Sequence, residues 1–198
     1  VILVIVCAIY TFSVYFGMKG VQLSAATCTW LFFGLLAYVF FFGGQTRFII
    51  EEGITALGNL TQNFIGLATW TDSLRTSSFP QTWTIFYWAY WMVWCVAVPF
   101  FIGSISKGRT LRQVILGGYV FGLSGTFTSF IIMGNYGLGL QMHGKLDVLS
   151  SYAADGNLYH AILDILGQLP LSKAVLVLLV LCMITFYSTS FDSITMVA

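Results

Sequence analysis

One short segment carries the residues whose chemistry stands out in this sequence. Between Trp83 and Trp94, seven of the twelve residues are aromatic and four are Trp. An aromatic ring face attracts cations, and a quaternary ammonium group, which cannot donate a hydrogen bond, is suited to a cage of such rings. On a helix, spacings of four, four and three residues put four rings on one face, with Tyr90 beside it. These four are Trp83, Tyr87, Trp91 and Trp94.

The depth of this aromatic face separates two interpretations. Trp and Tyr are common where a helix meets the membrane surface, and this explanation suits Trp83. At 1.5 Å per residue, however, Trp94 lies about 16 Å further along the helix, near the middle of a ~30 Å hydrocarbon layer. A face that continues so deep either lines a cavity for a cation or packs against neighbouring helices, and the spacing leaves both open.

The composition requires a membrane setting for these rings. Of the 198 residues, 58% are hydrophobic and 8% are charged, and the mean hydropathy is +0.89. Soluble domains carry about 25% charged residues, so a water-soluble globule and a disordered chain are both excluded. The net charge of +1 provides no basic surface for nucleic acid. Because zinc-protease and serine-hydrolase motifs do not occur, we predict that the protein is not an enzyme.

We predict an all-α integral membrane protein with five spans in a single transporter domain over residues 1–198. The turns at 17–22 and 107–112 carry Lys and Arg without any acid, so the positive-inside rule places both in the cytoplasm. Five alternating spans satisfy this rule and put the 43–81 and 134–170 connections outside. The spans are predicted at about 1–17, 23–42, 82–106, 111–133 and 171–198.

Periodicity and cap residues predict helices in both outer connections. Apolar residues recur at helical spacing over about 47–67, which predicts an amphipathic helix lying on the outer face. A second helix is predicted from Leu158 to Leu166, with Asn157 as its cap. Within the third span, Pro99 removes a backbone donor and predicts a bend or break. Since the chain begins in an apolar run without an initiator Met, we expect an interior segment of a longer protein.

The aromatic segment strongly resembles a signature of the betaine/carnitine/choline transporter (BCCT) family. The family pattern W-T-x-F-Y-W-x-W-W is similar to Trp83–Trp91, and its I-S-[RK]-G-R-T turn is matched from Ile105 to Thr110. The resemblance implies a sodium-symporter-like (LeuT-type) fold of two inverted five-helix repeats, with the substrate near the midplane. It also implies that this chain holds about helices six to ten, and that the amphipathic helix lies between the repeats.

The resemblance further implies roles for individual residues. The family's substrate-binding aromatics correspond to Trp91 and Trp94, while Tyr90 stands where the family usually has Trp. A Tyr can stack and also donate a hydrogen bond, so this departure puts the substrate preference in question. Tyr87, from the same face, completes the predicted substrate site. The implied function is secondary active uptake of a quaternary ammonium compound, glycine betaine foremost, in a bacterial inner membrane, commonly as a homotrimer.

The last span resembles the sodium-coupled members of the family. The stretch from Phe186 to Ser193 is similar to F-x-x-T-S-x-D-S, in which a Phe carbonyl and the Thr and Ser hydroxyls bind Na⁺. The resemblance therefore implies that Phe186, Thr189 and Ser190 bind sodium as the coupling ion, with no other cofactor. Without it, the hydroxyls are better explained as bonding back to their own helix. Asp192 is either a functional carboxylate within the span or one half of a structural pair.

Other functions remain open at this point. A sodium-independent exchanger of carnitine-like compounds is the principal alternative, and the Thr189–Ser190 pair argues against it because such exchangers lack the pair. A pore or a structural subunit is a further alternative. Saturable, sodium-linked uptake would distinguish the transporter from both.

Overall fold

The computed structural model of the protein describes residues 2–96 and 98–195. Within these ranges all regular elements are helical, which confirms the all-α prediction. The first six helices are α1 (Ile2–Tyr15), α2 (Met18–Phe42), α3 (Thr46–Gln62), α4 (Phe64–Thr69), α5 (Ile85–Trp94) and α6 (Val98–Ile105). The others are α7 (Leu111–Ser129), α8 (Asn135–Met142), α9 (Val148–Asp155), α10 (Leu158–Gly167) and α11 (Ser172–Thr195). Short π-helical segments, Pro80–Thr84 and Phe130–Gly134, lead into α5 and α8.

Three helical segments are long and apolar enough to cross a membrane. They are Met18–Phe42, Leu111–Met142 and Ser172–Asp192, and the bent pair Pro80–Trp94 and Val98–Ile105 makes a fourth if it counts as one span. By contrast, α1 has 14 described residues, which at 1.5 Å each extend only about 21 Å. The arrangement of five spans therefore stays a prediction.

The connection between α1 and α2 is tighter than the turn expected over 17–22. Helix α2 already begins at Met18, so Lys19 is helical. Gly17 provides the break, because its φ of +63° is one that residues with a side chain rarely adopt. Gly20 then lets α2 approach α1, since a Cβ at this position would lie 2.1 Å from the carbonyl oxygen of Ser13.

The glycine-rich segment after residue 133 is also helical, whereas the fourth span was expected to end there. Glycines lower helix propensity by about 1 kcal/mol each, so packing against other elements has to account for the continuation to Met142. Gly139 lies against α3, where a Cβ would be 3.0 Å from the ring of Phe48. The amphipathic helix expected over 47–67 consists of α3 and α4, separated at Asn63.

A buried core connects α2 and α11 with the helices of the outer connections. Asn157 caps α10 as predicted, because its side-chain oxygen accepts a hydrogen bond of 3.0 Å from the amide of Tyr159. Helices α5 and α6 contribute no residue to the core within the described ranges, so α5 presents its rings outward. The core residues are Leu35, Val39, Ile49, Tyr136, Leu140, Leu166, Leu169, Val175 and Cys182.

Candidate functional site

A break in the third predicted span sets the end of the aromatic face. Helix α5 ends at Trp94, α6 begins at Val98, and the two segments are bent by 57°. Proline has no amide proton, and its ring collides with the carbonyl four residues earlier, which for Pro99 belongs to Cys95. Helix α6 therefore starts just before Pro99, which falls in the first turn where proline is tolerated. The aromatic face consequently ends directly at the break.

The rings of the π-helical segment and α5 stack along the helix, each on a ring one turn away. The centroids of Trp83 and Tyr87 are 6.3 Å apart, with the planes at 25°. Further along α5, Tyr90 contacts Trp94 at 6.0 Å and 55°. Tyr90 also meets Trp91 at 6.0 Å, nearly edge-on at 83°. Three of the four predicted substrate residues are thus in mutual contact through Tyr90, while Tyr87 stacks on Trp83.

These rings are accessible from outside the described helices. Tyr87, Tyr90 and Trp91 are 48%, 45% and 63% exposed, and Trp94 is half-buried. Trp88, which the helical spacing directs away from this face, is 70% exposed. The accessible faces can therefore contact a ligand or another part of the protein.

A cleft of about 950 Å³ between α6 and α7 begins at Trp91. Pro99 and Gly103 line one wall, and Gly118 and Gly122 of α7 line the other. Apart from the neighbouring residues and backbone of α7 itself, no described atom lies within 4 Å of a Cβ built on either α7 glycine, so their face is open. Sequence reasoning missed the cleft, although a G-x-x-x-G spacing is typical of helices that let another surface approach closely.

The three predicted sodium-binding residues share one turn of α11. The Thr189 hydroxyl donates to the carbonyl oxygen of Phe186 at 2.9 Å, and the Ser190 hydroxyl donates to the same oxygen at 3.1 Å. One carbonyl and two hydroxyl oxygens are thereby brought together, which is a donor set suited to a hard cation. The same bonds are also the ordinary back-bonding of Ser and Thr within a helix.

Comparison with known sequences identifies the family of this protein. The model of the betaine/carnitine/choline family transporters matches residues 1–198, which is the whole chain. This chain belongs to the BCCT family. The identification confirms the resemblance seen in the aromatic segment and makes the protein a relative of membrane transporters.

Three bacterial transporters are among the relatives of this BCCT chain. It is 30% identical to a carnitine transporter of Acinetobacter baumannii, over 98% of this chain and 35% of the relative. It is 29% identical to a probable glycine betaine transporter of Desulfitobacterium hafniense, over 99% of this chain and 38% of that protein. Glycine betaine transporter 2 of Vibrio parahaemolyticus is 34% identical, over 98% and 35%. The chain therefore spans little more than a third of the length of these relatives.

A closed loop leads into the aromatic helix of this BCCT chain. Its centre is Asp72, whose carboxylate accepts hydrogen bonds from the amides of Thr76, Ser77 and Ser78 at 2.9–3.1 Å. The hydroxyls of Thr76 and Ser77 donate to it as well, at 2.9 and 3.0 Å. The Ser77 amide, with these other donors, lowers the pKa of Asp72 to about 2. The loop is thus held by an ionised carboxylate at neutral pH.

The position of this loop connects it with the start of the stacked rings. The side-chain amide of Gln81 donates to the carbonyl of Thr71 at 3.1 Å, and Trp70 stacks on Phe79 at 6.5 Å. The loop therefore fixes the chain immediately before the π-helical segment that carries Trp83. Sequence reasoning missed it, although Asp followed by a Thr-Ser-Ser run is a pattern of side chains that bond to nearby backbone.

Proposed function

We propose that the full-length protein takes up a quaternary ammonium compound, glycine betaine foremost, by secondary active transport coupled to Na⁺. The observation that carries this proposal is the set of inclined rings, Tyr90, Trp91 and Trp94, beside a break in the helix. Family membership supports the transport of such compounds, because relatives are named as carnitine or glycine betaine transporters.

The rings provide the recognition chemistry that a trimethylammonium group needs. Such a group has no hydrogen to donate, so a polar site offers it little beyond charge, whereas each ring face contributes about 0.5–2 kcal/mol of cation–π attraction. The break after Trp94 adds a second element, since broken helices in carriers expose backbone groups to substrates and ions. Trp91 and Trp94 are the principal rings of the proposed site, and Tyr90 connects them.

Sodium coupling is proposed through the hydroxyl turn of α11. The carbonyl oxygen of Phe186 and the hydroxyl oxygens of Thr189 and Ser190 would serve as ligands when Na⁺ binds. Their hydroxyls would have to rotate away from the carbonyl, so that oxygen lone pairs rather than protons face the cation. Binding of Na⁺ would then favour the loaded state of the carrier, which couples the ion gradient to uptake.

The alternative is a sodium-independent exchanger of the same compounds. One observation favours it: both hydroxyls are already satisfied by the Phe186 carbonyl. In that case Thr189 and Ser190 stabilise the helix and have no part in coupling.

Uptake in cells tests the two possibilities together. The full-length gene is expressed in a bacterial strain without its own betaine carriers, and labelled glycine betaine uptake is measured in sodium and in potassium buffers. We expect saturable uptake that collapses when potassium replaces sodium. Saturable uptake that is equal in both buffers would overturn sodium coupling and establish the exchanger. Absence of saturable uptake of glycine betaine, carnitine and choline would overturn the transporter proposal itself.

A further inference from the structure

A polar pocket lies between the start of α3 and the end of α8. It has a volume of about 370 Å³, and its lining residues come from the two connections that the positive-inside rule places outside the cell. It shares no lining residue with the aromatic face of α5 or the hydroxyl turn of α11. The lining residues are Gly44, Gln45, Arg47, Phe48, Glu51 and His143.

The imidazole ring of His143 is oriented from two sides. Its Nδ1 lies 2.7 Å from the carbonyl oxygen of Gly139, one turn earlier on α8. Because a carbonyl oxygen only accepts, Nδ1 carries the proton, and Nε2 of the neutral ring keeps its lone pair. The ring of Phe48 on α3 meets the imidazole nearly edge-on, at 5.4 Å and 77°. Metal-binding histidines are fixed in this way, with one nitrogen on a backbone carbonyl and the other directed at the metal.

A carboxylate lines the same pocket. Oε1 of Glu51 accepts a hydrogen bond of 2.7 Å from Nε of Arg47, one turn earlier on α3. The side chains of this ion pair are exposed, 90% for Arg47 and 60% for Glu51. Ion pairs at a surface contribute little to stability, so a metal ion can displace the guanidinium from the carboxylate.

Gln45 adds a third possible ligand, which is buried. It is 5% exposed, and its side-chain amide makes no hydrogen bond in the part of the chain that the structure describes. A Cβ at Gly139 would lie 3.2 Å from Oε1 of Gln45, so this amide packs beside the residue whose carbonyl orients His143. A buried amide without a partner is uncommon in proteins and indicates a polar ligand.

These nitrogen and oxygen atoms form a donor set for a borderline divalent cation. Imidazole and carboxylate are ordinary ligands of Zn²⁺, whereas Mg²⁺ and Ca²⁺ take oxygen ligands. We propose that His143 and Glu51 bind Zn²⁺ in this pocket, with the amide oxygen of Gln45 facing the ion or a water bound to it. No three His, Cys, Asp or Glu side chains form a metal-binding group within the described residues. Affinity in the micromolar range is therefore expected, weaker than that of a structural zinc site with four protein ligands.

The charges of the pocket favour a cation over an anion. Arg47 would attract an anion, but Glu51 already neutralises this guanidinium and would repel the anion itself. A zinc ion uses the carboxylate of Glu51 and is repelled by Arg47. Replacement of Arg47 therefore has opposite consequences, since it weakens the binding of an anion and strengthens the binding of zinc.

Calorimetric titration with Zn²⁺ tests this inference independently of transport. The full-length protein is purified in detergent without a histidine tag and freed of metal with a chelator. We expect Glu51→Gln and His143→Ala each to weaken zinc binding at least about ten-fold, the loss that is typical of a disturbed metal site. Glu52→Gln and His160→Ala are the matched controls, because neither residue lines the pocket, and both should bind zinc like the wild type. Excess Mg²⁺ should not compete.

Replacement of Arg47 distinguishes the cation from an anion. Arg47→Gln should bind zinc more tightly, by up to about five-fold, which is the range of an exposed ion pair. Binding of inorganic phosphate to the wild type that Arg47→Gln abolishes, together with unchanged zinc affinity, would overturn the metal site in favour of an anion site. Equal zinc affinity in the wild type, Glu51→Gln and His143→Ala would also overturn the proposal, as would a wild type that binds no zinc.

Thermal unfolding covers the case in which a variant is damaged. Glu51 is exposed, so Glu51→Gln should unfold at the temperature of the wild type when zinc is absent. An ion that binds only the folded state raises the unfolding midpoint. Zinc should therefore raise the midpoint of the wild type and Glu52→Gln, and leave that of Glu51→Gln unchanged. Equal increases in all three proteins would contradict the proposed site.

Discussion

The rings of Tyr90 and Trp94 lie one helical turn apart, with centroids separated by 6.0 Å and planes inclined by 55°. The ring of Trp91 meets Tyr90 at 83°, so the three faces are directed differently around the end of α5. Inclined faces can surround a rounded trimethylammonium group from several sides, which a parallel stack cannot do. In the proposed function, the end of this helix forms one wall of an aromatic cage.

Replacement of Trp94 tests this wall. Trp94→Leu removes the ring while keeping an apolar side chain, and the loss of about 0.5–2 kcal/mol of cation–π attraction predicts a KM for glycine betaine about 2- to 30-fold higher. Uptake kinetics in whole cells measure this change. Trp94→Phe should have the smaller effect, because a ring face is retained.

Trp88→Leu is the matched control for this replacement. It removes a Trp from the same helix, but Trp88 is 70% exposed and lies off the aromatic face. Its KM should stay within about two-fold of the wild type, which is the lower end of the loss of a single ring contact. Equal increases for Trp88→Leu and Trp94→Leu would show that general damage to α5, rather than the cage, raises the KM.

Tyr90 should affect which substrate is preferred. Tyr90→Phe keeps the ring and removes the hydroxyl, so glycine betaine uptake should change little if stacking alone matters. Tyr90→Trp restores the residue that the family pattern has at this position and enlarges the ring face. Competition of unlabelled choline and carnitine against labelled glycine betaine measures the preference. Identical competition profiles for the wild type, Tyr90→Phe and Tyr90→Trp would contradict a role of Tyr90 in substrate binding.

Thr189 should control the response to sodium. Thr189→Ala removes one proposed ligand, and loss of an interaction with a charged group of roughly 1.5–3 kcal/mol predicts at least about a ten-fold higher half-saturating Na⁺ concentration. Thr128→Ala on α7 is the control, since its hydroxyl makes the same kind of helix back-bond, to Ser124 at 2.7 Å. Equal sodium curves for both variants and the wild type would assign Thr189 to helix back-bonding only.

The sequence predicted best where one physical signal dominates. Pro99 predicted the break because a missing donor and a ring collision cannot be compensated locally, and Asn157 predicted the cap of α10 through its own side chain. The helical continuation to Met142 was not foreseen from the sequence, because it packs Gly139 against Phe48, which is 91 positions away. The Ser13–Asp192 bond is likewise invisible in local periodicity, since 179 positions separate the two residues.

Gly53 should be necessary for the packing of α3. A Cβ there would lie 2.6 Å from Cγ2 of Ile131, and a β-branched side chain cannot move that methyl group freely. We expect Gly53→Ala to lower thermal stability, because an overpacking cost of about 1–3 kcal/mol exceeds the gain in helix propensity. Gly58→Ala in the same helix meets no atom within 4 Å and should be neutral or stabilising. A thermal unfolding midpoint for Gly53→Ala equal to that of Gly58→Ala would refute the contact.

The Asp72 loop should depend on an ionised carboxylate. Because the pKa is lowered from 3.8 to about 2 in the folded protein, the stabilisation is present above pH 3.8 and disappears as the pH falls towards 2. Hydrogen exchange in residues 72–78 should therefore show constant protection between about pH 5 and 8, once intrinsic exchange rates are corrected for. Asp72→Asn should lose this protection at neutral pH, whereas Ser73→Ala should keep it. Full protection in Asp72→Asn would mean that the charge is not needed.

The most direct test of the account compares glycine betaine with its uncharged carbon isostere, 3,3-dimethylbutyrate, in equilibrium binding to the purified full-length protein. The two compounds share shape and carboxylate and differ in the positive charge that the rings of Tyr90, Trp91 and Trp94 are proposed to recognise. Loss of about 0.5–2 kcal/mol of cation–π attraction at each of two or more rings predicts that the isostere binds at least about five-fold more weakly. Equal affinities would contradict a cation-binding cage and leave only an apolar pocket of matching shape.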